Sequence, residues 1–110
     1  MPGVPQSDPR QFVQGSAVLH VPDVLATAEY YRDNLGFSWD FGDDQYAVVW
    51  RENAAVHFAR GLAVPNGVHL FMWVRDVDAY YKEIVQRGVK AEMEPITQPY
   101  GIREFKLKDV

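Results

Sequence analysis

Histidine, tryptophan and tyrosine carry most of the chemistry this sequence can offer, because the chain contains no cysteine. That removes thiolate catalysis, disulfides and Cys-ligated metals. The serines are Ser7, Ser16 and Ser38, and none sits in a glycine-flanked nucleophile elbow. No glycine-rich loop is present to cradle a phosphate. What remains is a set of rings and imidazoles placed in short apolar runs. Tyr46, Val48 and Trp50 alternate along one run, and Ala55, His57 and Ala59 along the next. A two-residue turn at Glu52-Asn53 pairs Trp50 with Ala55 and Val48 with His57, so all six side chains share one face. His69, Phe71 and Trp73 alternate in the same way further on. Such a mixture suits a cleft in which planar or apolar groups stack on rings and a few polar atoms orient them. Packing of the same rings in a dimer interface is the competing account. In a domain formed across a dimer both hold.

Two further residues stand near a loop mouth. Tyr100 precedes Gly101, which lets the backbone turn sharply, and Tyr100 is a candidate lid residue. Arg103 shares its strand face with Phe105 and Leu107. An arginine on an apolar face needs a partner. An internal carboxylate is the first expectation, an anionic ligand group the second. Asp43, Asp44, Lys82, Glu83 and Arg87 read as solvated surface.

These residues must be positioned by the elements around them. Ser16 to Phe37 reads as a strand, a corner and a helix. Ser16 to Val21 is short and apolar, which suits a strand. Pro22 cannot donate to a ladder and stops it. Asp23 caps a helix whose apolar stripe is Val24, Ala28, Tyr31 and Leu35. Gly36 ends it. The same grammar returns 53 residues later: an apolar run at Val68 to Val74, a cap at Asp76, a stripe of Val77, Tyr81 and Ile84, and Gly88. A repeat of this size means two copies of one supersecondary unit. Strands are further expected over Phe37 to Phe41, Tyr46 to Arg51, Ala54 to Arg60, Val89 to Glu94 and Arg103 to Lys108. Pro95 to Gly101 reads as a long loop. The expected organisation is one α+β domain over 1–110. A flexible arm spans 1–12, a first βαβββ module 13–60, a linker 61–67 and a second module 68–110. If the second module copies the first, one more strand is owed after Asp109, and without it an edge is left unpaired.

Bulk properties narrow the partners. A hydrophobic share of 47% is enough for one real core and argues against general disorder. A net charge of −4 with no basic block argues against a nucleic-acid partner. No apolar run approaches the roughly 20 residues needed to span a bilayer, and the first ten residues do not form a signal peptide. The cysteine-free composition is compatible with the cytosol, and a cytoplasmic location with no membrane partner is the expectation.

The order and spacing of three clusters resemble the vicinal oxygen chelate superfamily of glyoxalases, bleomycin-resistance proteins and dioxygenases. They are Val21-Pro-Asp-Val with Tyr30-Tyr31-Arg-Asp-Asn-Leu-Gly-Phe, then Val74-Arg-Asp-Val-Asp-Ala-Tyr, then Tyr100-Gly-Ile-Arg-Glu-Phe with Asp109. The last cluster looks most like the bleomycin-resistance branch. The resemblance implies two half-barrels with concave faces and a homodimer whose halves complete each cavity. It also implies metal-ligand positions in metal-using members. These fall on Ser16, His57 and His69, with a carboxylate position beyond Val110; His20 is not at one of them. Serine is a poor ligand while protonated, and two histidines alone hold a divalent ion weakly. No cofactor is therefore the favoured expectation, with a divalent metal on His57 and His69 as the alternative.

The sequence-level reading is a metal-free small-molecule binder of bleomycin-resistance type. It holds an aromatic or amphipathic compound near Tyr46, Trp50, His57, His69, Phe71, Trp73, Tyr100 and Arg103. The alternative is a metal-dependent lyase, isomerase, dioxygenase or thiol transferase of the same superfamily. A dimeric scaffold with no ligand is the third. The sequence does not decide whether a reaction is catalysed.

Overall fold

The computed structural model describes residues 11, 14–62 and 68–109. The arm expected over 1–12 and the linker over 61–67 lie, apart from Gln11, Gly61 and Leu62, outside the described residues. The elements are β1 (Ala17–Val21), α1 (Val24–Asp33), β2 (Ser38–Gly42), β3 (Tyr46–Arg51), β4 (Ala54–Arg60), α2 (Val77–Gln86), β5 (Ala91–Thr97) and β6 (Arg103–Leu107). The described residues form an α+β fold with two helices and two sheets.

The two helices begin the same way. Asp23 and Asp76 hold extended backbone, and each carboxylate accepts from the backbone N–H three residues on, Ala26 and Ala79. Each cap satisfies a donor that the first helical turn leaves free. The helices start 53 residues apart, at Val24 and Val77, and end 53 apart, at Asp33 and Gln86. The internal repeat is thus a repeat of structure.

In the first half four strands run in the order β1-β4-β3-β2. β1 lies parallel to β4, and β3 is antiparallel to both β2 and β4. The Glu52-Asn53 turn sets the register expected from the sequence, Trp50 opposite Ala55 and Val48 opposite His57. Glu52 takes the left-handed backbone that so tight a connection demands, with φ of 52°. Alternation then divides the sheet. Ala47, Val49, Val56 and Phe58 point to one side, where Val24, Ala28, Tyr31 and Leu35 of the first helical stripe close over them with Phe37. Tyr31 packs against Phe58 and Phe37 with ring centroids 4.9 Å and 5.6 Å apart. Ile84 and Val89 of the second half join the same core.

The second half is less complete. β5 and β6 form a two-stranded antiparallel sheet. Val68 to Val74, expected as a strand, is not one. Its counterpart β1 owes its ladder to β4, and no described strand stands in that place beside 68–74. Without a ladder the segment keeps Leu70 and Val74 exposed, while Met72 packs onto the core. The long loop expected from Pro95 is also corrected: β5 runs on to Thr97. The register shifts between Met93 and Ile96, and Pro95 sits in that irregularity on a two-stranded sheet. There the missing N–H costs little.

A polar seam ties the halves together. Arg51 at the end of β3 makes a two-pronged pair with Glu83 on α2, at 2.5 Å and 2.8 Å, and also donates to the Leu35 carbonyl. Tyr80 donates to the same carbonyl at 2.6 Å. Asn34 donates to the Arg87 carbonyl, and Arg87 donates to the Asp33 carbonyl, across the helix ends. Glu83 and Arg87, expected as solvated surface, instead build this seam. Gly36, with φ of 78°, passes so close to Arg51 and Glu83 that a Cβ would collide with both charged groups.

Candidate functional site

The face of the first sheet turned away from α1 carries Tyr46, Val48 and Trp50 of β3 with Ala55, His57 and Ala59 of β4. None of these six belongs to the core beneath the helices. On β1, Val18 lies opposite His57 and His20 opposite Ala59, so both share the face. Phe41 joins them by an irregularity. The β2–β3 register slips between Trp39 and Phe41, which sets Phe41 opposite Val48. Simple alternation from Ser38 would have turned it to the other side, and no residue pattern announces the slip. Val18 and Phe41 are exposed, while Val48 and Ala55 between them are buried. The result is an aromatic rim around a small apolar floor.

One polar pair stands on that floor. The Tyr46 hydroxyl meets Nδ1 of His57 at 2.5 Å, with the two rings edge to face. The other ring nitrogen, Nε2, is buried and has no hydrogen-bond partner among the described residues. A buried polar atom left unpaired costs about 1–3 kcal/mol. Such atoms are rare enough in folded proteins to call for an explanation.

The remaining sequence-derived residues lie elsewhere. Phe71 and Trp73 meet each other edge to face, with centroids 5.1 Å apart. Trp73 is 75% exposed, and no ring contact among the described residues joins the pair to Trp50, Tyr46 or His57. His69 is exposed on the same segment. Tyr100 donates to the carboxylate of Glu104. Arg103 grips Asp78 of α2 through two bonds of 2.8 Å and reaches Thr97 at 3.3 Å. Its guanidinium holds the Asp78 carboxyl below the usual range. The partner of Arg103 is therefore a carboxylate of the chain itself. The structure brings Tyr46, Trp50 and His57 together and leaves Phe71, Trp73, His69, Tyr100 and Arg103 on the second half.

The first sheet, the paired half-modules and this ring-lined face can be set beside known proteins. The family profile described as the Glyoxalase/Bleomycin resistance protein/Dioxygenase superfamily matches residues 14–110. The chain belongs to this superfamily. Among solved structures, it is similar to a bleomycin-binding protein from bleomycin-producing Streptomyces verticillus, complexed with copper(II)-bleomycin. Identity there is 29%, the match covers 87% of this chain and 86% of that one, and the TM-score is 0.75. A glyoxalase-related enzyme from Clostridium phytofermentans superposes with the same TM-score of 0.75 at 20% identity, over 96% of this chain and 91% of that one. A bleomycin resistance determinant encoded on the transposon Tn5 matches at 18% identity and TM-score 0.66, over 86% and 98%. At such identities the last two show the fold. No curated protein matches this chain significantly.

Some members of the superfamily use a divalent metal, so the donor set matters. Among the described residues, no three His, Asp or Glu side chains come together. His57 and His69 stand on different halves, and Nδ1 of His57 is already engaged by Tyr46. The described side chains do not by themselves make a site for a divalent ion, which wants three or four such ligands. A metal-dependent activity would need donors beyond them.

Proposed function

We propose that this protein binds an aromatic or amphipathic small molecule and protects by stoichiometric capture. In this reading it acts in the cytoplasm as a homodimer and needs no metal. The observation that carries the reading is the outer face of the first sheet. Its rings lie outside the core and leave a buried, unpaired imidazole nitrogen among apolar neighbours. A packing face has no use for such a nitrogen, whereas a binding face does. The similarity to a protein complexed with copper(II)-bleomycin supports a ligand with planar heteroaromatic parts. Exposed Val18, Phe41, Phe71 and Trp73 support a second copy that closes the cleft and brings the second-half rings to the first-half face.

Isothermal titration of the chain with copper(II)-bleomycin and with metal-free planar antibiotics tests this. Trp50→Ala and Trp73→Ala each remove a large stacking surface, and a loss of tenfold or more in affinity is expected from each. Unchanged affinity in both variants ends the aromatic-cleft reading. Sedimentation of the free protein checks the dimer. Metal analysis of protein purified without chelator tests the enzymatic alternative. A stoichiometric ion that disappears in His69→Ala would reverse the ranking.

A further inference from the structure

The pairing of Tyr46 with His57 gives the proposed cleft a chemical direction. A phenol is a better donor than a neutral imidazole N–H, and an imidazole lone pair is a better acceptor than a phenol oxygen. The Tyr46 hydroxyl therefore donates to Nδ1 across the 2.5 Å contact. A neutral ring that accepts at Nδ1 carries its proton at Nε2. That N–H is buried and unpaired among the described residues. Its described ladder neighbours cannot satisfy it. Val48 stands directly opposite His57 on one side and Val18 on the other, and the strand-mates on the same face are Ala55 and Ala59. None has a side-chain acceptor.

We infer that His57 Nε2–H is the orienting donor of the site. The molecule it takes presents an acceptor oxygen, such as a ketone, amide or ester carbonyl, at the edge of a planar apolar body. This rests on the small-molecule reading above and deepens it. Tyr46 acts through His57 and is a positioning residue. It fixes which nitrogen bears the proton, and so selects acceptors over donors. A ligand edge that ends in an ammonium or other donor-only group faces a like N–H and is rejected.

Two measurements test this on the intact chain. The first is the imidazole nitrogen spectrum of the free protein. Nε2 is expected in the protonated, pyrrole-like range and Nδ1 in the bare, pyridine-like range. Tyr46→Phe should collapse this to a mixture of tautomers. A wild-type ring protonated at Nδ1 overturns the inference. The second compares 2-acetylnaphthalene with 2-isopropenylnaphthalene, which differ by a carbonyl oxygen in place of a methylene. The affinity ratio of ketone to alkene should fall about tenfold from wild type to His57→Phe, and by a smaller factor in Tyr46→Phe, with the alkene itself little affected by Tyr46→Phe. An unchanged ratio in both variants, with both probes still bound, overturns the donor role and leaves the cleft standing. Binding of neither probe to wild type removes the cleft and the inference with it. Should His57→Phe fail to fold, the tautomer spectrum and the Tyr46→Phe ratio still decide.

Discussion

At the scale of single residues, the most informative groups are those whose environment differs most from water. Tyr80 is one. Its hydroxyl donates to the Leu35 carbonyl, and its pKa is pushed up to about 12, chiefly by burial. The unfolded chain loses this proton near the ordinary tyrosine value of about 10. Stability from Tyr80 is therefore whole below that value and is lost as pH rises from about 10 toward about 12. Tyr80→Phe should lower stability by about 1 kcal/mol at neutral pH, the worth of one hydrogen bond. It should also flatten the alkaline fall, read from denaturant midpoints at stepped pH. The residues of the candidate site were uneven in how they could be read from sequence. Tyr46, Trp50 and His57 were legible because a two-residue turn and strict alternation place them. Phe41 was not, because its side depends on a register slip. Glu83 reads as surface in the sequence because its partner Arg51 lies 32 positions away and on a different element.

At the scale of elements, local signals held where the energy itself is local. Both helix caps, the first stripe and the strand ends at Tyr46–Arg51 and Ala54–Arg60 follow from side chains within a few residues of the backbone they act on, whereas of the expected second stripe only Ile84 is buried and Tyr80 packs on the core in place of Val77 and Tyr81. Asp23→Ala and Asp76→Ala should each destabilise by about 1 kcal/mol. The two effects should add in the double variant, since the caps serve different helices. Urea midpoints at an unchanged slope would check this. Elements failed to be legible where a neighbour decides them. Val68 to Val74 has the composition of a strand, but a strand exists only beside a partner. Pro95 has the signature of a loop, but an irregular two-stranded ladder tolerates it.

At the scale of the whole molecule, the seam between the halves decides how the protein unfolds. Arg51 holds the Glu83 carboxyl below its usual pKa through their paired hydrogen bonds. A depressed carboxyl stabilises the fold above the normal carboxylate range, and this is lost as pH falls through the lowered value. Glu83→Gln should cost about 1 kcal/mol at neutral pH, because the pair is about one-third exposed and solvent screens it. It should also remove that part of the acid sensitivity. Because the Ile84 and Val89 side chains share one core with α1, wild type should melt in a single transition by both fluorescence and circular dichroism. Separation of the two signals in Glu83→Gln, but not in wild type, would identify the seam as the source of the coupling.

The hydroxyl of Tyr31 reaches Asp109 at 2.8 Å, and that of Tyr30 approaches the Lys108 carbonyl at 3.4 Å. The acceptor of each is made 78 residues after its donor. A ribosome adding roughly 5–20 residues per second needs several seconds to supply it. During that interval the nascent first helix carries a ring whose oxygen has nothing of its own chain to bind. Although the halves repeat one plan, the earlier one cannot finish maturing until the later one emerges.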